Sequence, residues 1–210
     1  MNQPWLRVTL NDYEGHMGAF GVNQLAPLSS LFEDVLTFCQ PGSVAIIGIA
    51  GGNGLDRIDP QVHKRVVGID INPDYLDAVR KRWPDQHWLE LQHLDVSEAP
   101  PPKLSPVELV HAALLFEHTG LHPSLENCLS LLAPKGHFAA VLQLPSLLQD
   151  GVAPTGFSSM QNLKEHFSLI DPQPFIDAVA SRGFALLFEK KFPLPAGKAF
   201  WLGIFCAKKF

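Results

Sequence analysis

VAIIGIAGGNGL, residues 44–55, is the stretch on which the reading of the fold turns. It continues the run Ser43–Ile49, apolar and β-branched without a polar break, which is the composition of a strand covered on both faces. From Gly48 to Gly54, four of seven residues are glycine, and they fall on the turn that leaves the strand. In an open α/β sheet, ligands sit at the carboxyl ends of strands, where residues without a bulky side chain let the backbone approach closely. A tight strand-to-helix turn with no ligand accounts for one or two such glycines more readily than for four.

The rest of the chain organises itself around that turn. Arg65–Asp70 is a second strand, and its last residue stands 22 positions after Gly48 (70 − 48). A carboxylate at that tip can accept both hydroxyls of an adenosine ribose; its plainer role is a partner for the N-terminus of the next helix. That helix begins with Asn72 as N-cap and Pro73 at its first position and runs to about Trp83. Trp88–Gln92, Val107–Ala113 and His137–Leu142 are strands three to five, with a helix near Pro123–Leu132 ending before Pro134-Lys135-Gly136. Strands alternating with helices predict a parallel sheet covered on both faces. Phe184–Phe192 and Ala199–Ala207, joined by PLPAG, predict an antiparallel hairpin at its edge. Before the glycine turn, Pro27 opens a helix with Leu28, Leu31, Phe32, Val35 and Leu36 on one stripe, stopped by Gln40-Pro41-Gly42. Residues 1–26 show no sustained periodicity and read as an arm, and Ala99–Pro102 reads as a short linker.

Composition bounds the partners. With 210 residues the chain fits one domain plus the arm, and 46% apolar against 18% charged residues excludes disorder as the overall state. A net charge of −5 with scattered basic residues offers no counterion-release surface, so nucleic acid is not expected. Three widely spaced cysteines, Cys39, Cys128 and Cys206, make no C-x-x-C pair and predict a reducing compartment. No apolar run approaches the ~18 residues of a membrane span, and the N-terminus lacks a signal-peptide pattern, so a soluble cytoplasmic domain without membrane partners is expected. The sequence fixes no oligomeric state.

Spacing narrows the ligand. Counting from Gly48, Ala50 and Asn53 stand where a dinucleotide fingerprint needs glycines, and no Gly-Lys-Ser/Thr occurs anywhere, so both pyrophosphate cradles fit badly. Taken in order, the motifs resemble the class I S-adenosylmethionine-dependent methyltransferases over about residues 30–210. The family's glycine loop matches VAIIGIAGGNGL, with Gly48, Ala50 and Gly52 on its three glycine positions. Its ribose acid matches Asp70 in GIDINPDYL and its adenine-contacting acid Asp95 in HLDVSE, while VELVHAALLFEH and LLAPKGHFAAVLQL match its fourth and fifth strands. The resemblance implies an α/β, Rossmann-like doubly wound, mostly parallel seven-stranded sheet with a C-terminal antiparallel hairpin. It implies S-adenosyl-L-methionine as cofactor, S-adenosyl-L-homocysteine as product, and Gly48, Ala50, Gly52, Asp70, Ile71, Asp95, Val96 and Ala113 as the residues that bind them. Two positions depart from the family. Ile46 stands where it usually has a carboxylate, and Ala50 where it has glycine.

Methyl transfer from a sulfonium is an in-line displacement in which the cofactor carries the reactive group, so a catalytic base is optional. In Phe116-Glu117-His118-Thr119, placed after strand four, His118 is the candidate base. His111, inside strand four, reads as a satisfied core histidine. Gln143 and Ser146, at the end of strand five, are candidates for the acceptor pocket. In the arm, Asp12-Tyr13-Glu14-Gly15-His16-Met17 has no helical or strand logic and reads as a possible active-site lid, with Tyr13 and His16 facing the acceptor. No carboxylate stands where catechol-type enzymes hold magnesium, so no metal is expected. Neither the Asp/Asn-Pro-Pro-Tyr/Phe motif of nucleobase amino-group methylation nor a Pro-Cys nucleophile occurs, which leaves a small-molecule acceptor. The alternative is a catalytically silent methyltransferase-fold module that binds or interacts without methylating, motivated by Ile46 and Ala50.

Overall fold

The computed structural model describes residues 3–98, 101, 104–146, 152–194 and 197–208. The expected linker Ala99–Pro102, apart from Pro101, lies outside these residues, as does the middle of the PLPAG loop. Seven strands form one sheet: β1 (Ser43–Ile47), β2 (Arg65–Asp70), β3 (Leu89–His93), β4 (Val107–Ala113), β5 (Leu132–Leu144), β6 (Phe184–Pro193) and β7 (Ala199–Ala207). Their spatial order is β3-β2-β1-β4-β5-β7-β6, parallel from β3 to β5 and antiparallel where β7 joins β5 and β6. Neighbouring residues of β1 face opposite ways. Val44 and Ile46 pack with α2 (Leu25–Cys39) and α3 (Pro73–Arg82), whereas Ala45 and Ile47 pack on the side of α5 (Ser124–Ser130) and α6 (Pro172–Ala180). The sheet is thereby buried on both faces, as the unbroken apolar strands require.

Several local expectations need correction. β5 starts five residues early, at Leu132, and crosses Pro134-Lys135-Gly136 as an irregularity: pairing slips between Val107 and Leu109, and Lys135 takes a φ of +66°. Glycine and proline there bend a strand rather than end one. α2 begins at Leu25, before Pro27, because a proline at the third helical position forfeits only an N–H that would lack an intrahelical partner anyway. After the glycine turn the chain makes a single 3₁₀ turn, Leu55–Arg57.

The larger correction is in the arm. Residues Leu10–Gly18 form a helix, α1, capped by Thr9, whose side chain accepts a hydrogen bond from Asp12 N at 3.1 Å. It carries no single apolar stripe because it has neighbours on several sides. Tyr13 packs edge-on to Trp5 of the preceding 3₁₀ turn Pro4–Arg7, Asp12 binds Ser159 and Glu14 pairs with Arg82. His111 is buried against Phe32, with ring centroids 4.8 Å apart, but its Nδ1 has no partner among the described residues; burial holds the ring neutral, its pKa pushed down to about 4. It is a core histidine held by packing, not the satisfied one expected from the sequence.

Candidate active site

Neighbours of β1 leave it in opposite directions, β2 on one side and β4 on the other, and a cavity of about 270 Å³ opens at the carboxyl tips there. Asp70 forms one end. Its Oδ2 accepts from Ala50 N at 2.8 Å and its Oδ1 from Asn72 N at 2.9 Å, so the last residue of β2 is bonded to the glycine turn and to the start of α3. Burial raises its pKa to about 6 against the pull of these backbone donors. The turn is folded back by Gly48 N and Ile49 N, which both donate to Ile69 O. Gly48 has φ +72°, and a Cβ there would meet only Leu115 at 3.9 Å. Ala50 holds φ +48° despite its side chain, so the loop keeps its left-handed step where the family has glycine. Ile46 lies in the core facing α2 rather than in the cavity, and the cavity's carboxylates among the described residues are Asp70 and Asp95.

Asp95 follows β3. Its Oδ1 accepts from Ser97 N (2.8 Å) and Ser97 Oγ (2.6 Å), and its Oδ2 from Gln3 Nε2 at 2.5 Å. Gln3 belongs to the N-terminal segment, which crosses the cavity and is tied down along its length. Asn72 Nδ2 donates to Trp5 O (2.9 Å), Tyr75 Oη to Val8 O (3.0 Å), and Arg82 pairs bidentately with Glu14 while Nη1 also donates to Gly51 O at 2.9 Å.

The other end is built from the arm and from late parts of the chain. His16 Nδ1 hydrogen-bonds Thr155 Oγ1 at 2.8 Å, and burial and Lys198 both lower its pKa. Asp12 Oδ2 accepts from Ser159 N and Oγ at 3.0 and 2.6 Å, fixing α1 to the 3₁₀ segment Ser158–His166. Gln24 Nε2 donates to Gln143 Oε1 at 3.2 Å. Behind Gln143, Glu117 is buried: its Oε1 accepts from Gln143 N at 2.7 Å, its Oε2 has no partner among the described residues, and burial raises its pKa to about 7. His118 stands edge-on to Trp5 (4.8 Å) and Phe167 (5.2 Å), and burial, with His166 nearby, pushes its pKa down to about 4. The Tyr13 phenol is held above its ordinary range by burial and by Asp70 and Glu14.

Of the residues singled out from sequence, Gly48, Ala50, Asp70, Ile71, Asp95, Val96 and Ala113 line one continuous cavity with Tyr13, His16, His118 and Gln143. Gly52 does not. It lies behind the turn with φ +85°, and a Cβ there would sit 2.7 Å from the Trp83 ring, so its smallness serves packing against the end of α3. Ser146 is not in the wall either. Sequence reasoning missed Trp5, Gln24, His166 and Lys198. For Lys198 a signal existed: an antiparallel strand begins where its parallel neighbour ends, and Ala199 pairs with Leu144, which puts the start of β7 at the carboxyl tips.

Residues 46–138 match the family described as a methyltransferase domain. No curated protein matches the chain. Solved structures match over nearly the whole length at low identity. N-methyltransferase NodS from Bradyrhizobium japonicum WM9, in complex with S-adenosyl-L-homocysteine, is 17% identical with a TM-score of 0.62, covering 100% of this chain and 94% of that one. Magnesium protoporphyrin IX methyltransferase ChlM from Synechocystis PCC 6803, with bound S-adenosylmethionine, is 11% identical with a TM-score of 0.69, covering 98% and 95%. The cyclase SpnF is 9% identical with a TM-score of 0.66, covering 88% and 82%. The likeness read from the motifs therefore stands at the level of the fold: the chain has the sheet order and layering of these methyltransferase structures, and the match to a methyltransferase domain runs from within β1 to within β5.

Proposed function

We propose that this protein is an enzyme that binds S-adenosylmethionine between Asp70 and the glycine turn and transfers its methyl group to a small-molecule acceptor, with residues 1–26 acting as a lid. The observation that carries this reading is Asp70, a buried carboxylate in the cavity wall whose two oxygens are held by backbone N–H groups. A carboxylate has about four lone-pair sites, so two remain for a diol. The residues fit the cofactor. Asp70 would hold the ribose hydroxyls, Asp95 the adenine amine in place of the Gln3 amide, and Ile71 and Val96 the faces of the base, with Gly48, Ala50 and Ala113 beside the methionine part.

When bound, the cofactor supplies a methyl group activated on a positively charged sulfur. What remains for the protein is to align the acceptor and keep water out. Tyr13, His16 and Gln143 are placed to contact the acceptor. His118 serves as a wall, because an imidazole with a pKa near 4 is a weak base at neutral pH. A second reading, a fold that binds without methylating, is favoured by Ile46 in place of the usual carboxylate, and a cyclase shares this fold.

Calorimetric titration of S-adenosylhomocysteine tests the cofactor assignment. Charge-assisted hydrogen bonds contribute about 1.5–3 kcal/mol each, so Asp70→Ala should weaken binding at least tenfold, and Asp70→Asn less. An Asp70→Ala protein that is folded by circular dichroism and binds as tightly as the wild type would remove Asp70 from the site. Transfer of a labelled methyl group then separates the two readings.

A further inference from the structure

Four bases line the cavity together with Asp70 and Asp95: His16, His118, His166 and Lys198. They come from α1, from α4 (Phe116–Thr119), from the end of the 3₁₀ segment and from the start of the closing strand pair, so the fold gathers them and no local run of sequence does. The carboxylates that line the cavity among the described residues, Asp70 and Asp95, both sit at the tips of β2 and β3. The cavity wall thus takes its carboxylates from β2 and the end of β3 and its bases from other elements. Among these four, base opposes base: Lys198 disfavours charge on His16, and His166 disfavours charge on His118. Apolar walls, Met160, Leu163 and Phe167 among them, lower the local dielectric and strengthen this repulsion. An anion entering here would relieve it.

We infer that the acceptor carries an anionic oxygen group, a carboxylate or a phosphate, seated against Lys198 and His16. That this ligand is the methyl acceptor rests on the methyltransferase reading; that Lys198 and His16 take an anion does not. Lys198 already has a polar contact of its own, but an ammonium offers three donors, so an anion shares it rather than replaces that contact. His16 commits Nδ1 to Thr155, which makes Nε2 the ring nitrogen for the ligand. Trp5 and Phe167, which both pack on His118 and line the cavity, suit a flat apolar body behind the charged group.

Benzoate, phenyl phosphate and the neutral benzamide are the probes, titrated by calorimetry into the full chain with and without S-adenosylhomocysteine. At least one of the two anions should bind tenfold or more tightly than benzamide, and which one does so identifies the group. Lys198→Met should remove that preference while leaving S-adenosylhomocysteine binding within about twofold of wild type. Should Lys198→Met not fold, His16→Gln should reduce the preference, and the wild-type comparison stands by itself. Equal binding of benzamide and both anions, or a preference that survives in the variants, overturns the inference. An anion preference in a protein that fails to bind S-adenosylhomocysteine would support the anion site and sink the cofactor reading instead.

Discussion

The two ends of the cavity are built by different means. At the cofactor end, the contacts that fix Asp70 are short in sequence and use the backbone: it is bonded to the N–H groups of Asn72 and Ala50, two and twenty residues away, and the long side-chain tie there is Gln3 to Asp95. At the acceptor end they run between side chains across 119 to 147 residues, in Gln24–Gln143, His16–Thr155 and Asp12–Ser159. Backbone donors at a strand tip are positioned by the sheet itself and need no further ordering. Long side-chain ties cost rotamer entropy and hold only while both partners stay docked. The difference teaches that the cofactor end is preorganised, whereas the acceptor end is assembled by docking the arm, and that the two should fail separately.

The strongest way to break that comparison is to delete residues 1–20. All seven strands and both backbone donors to Asp70 lie outside these residues, so the truncated protein should remain folded by circular dichroism even though Met17 leaves the core and Asn72 and Arg82 lose partners. It loses Gln3 on Asp95 and Trp5 over the cavity, and S-adenosylhomocysteine affinity should fall severalfold. Turnover should fall much further, on the order of 100-fold, on any acceptor the wild type methylates, since misplacement by about 1 Å can cost that much. A truncation that lowered both equally would mean that the arm is part of the cofactor end, and full turnover would strike Tyr13 and His16 from the acceptor site.

The same division explains what could be read from sequence. Strand cores such as Val44–Ile47 and Arg65–Asp70 announce themselves because burial on both faces demands continuous apolar residues, and Asn72-Pro73 announces a helix start because capping is local. Asp70 and Asp95 were legible as strand-tip acids in a fixed order of motifs. α1 was not, since its residues answer to partners elsewhere: Asp12 to Ser159, Glu14 to Arg82, His16 to Thr155. Its one local sign was Thr9 three residues before Asp12, a capping pattern. Gly52 was legible as a glycine in the loop but not as a packing glycine, because Trp83, which approaches it, lies 31 residues on (83 − 52).

Between the two ends stands Glu117, and its titration sharpens the comparison. Its pKa is raised from 4.5 to about 7, chiefly by burial. A carboxyl that binds its proton more tightly when folded contributes stability that is fully present below about 4.5 and is lost as pH rises through about 7. Glu117→Gln keeps an amide oxygen for Gln143 N and never ionises, so it should match the wild type at pH 5 and exceed its Tm at pH 8, by on the order of 5 °C. Asp70, raised to about 6, adds a slope of the same sign centred lower and is untouched by this change. If the variant were less stable at pH 8, the ionised carboxylate would have a partner that compensates its burial.

The smallest effect belongs to the cofactor end, and it asks whether that end is as fully preorganised as its backbone contacts suggest. Ala50 sits at φ +48°, a conformation that costs an L-residue about 1–2 kcal/mol and glycine almost nothing. Ala50→Gly relieves that strain, but glycine has more freedom to lose on folding, worth about 0.4–1 kcal/mol in the other direction. The methyl group is also buried, so a little packing goes with it. The net should be a gain of about 0.5 kcal/mol or less, a Tm rise of roughly 1–2 °C. The bond from the N–H of residue 50 to Asp70 Oδ2 does not involve the side chain, so S-adenosylhomocysteine affinity should stay within about twofold of wild type. An affinity that dropped tenfold would mean that the alanine methyl itself holds the loop or touches the ligand, and the cofactor end would then owe part of its shape to a side chain, as the acceptor end does.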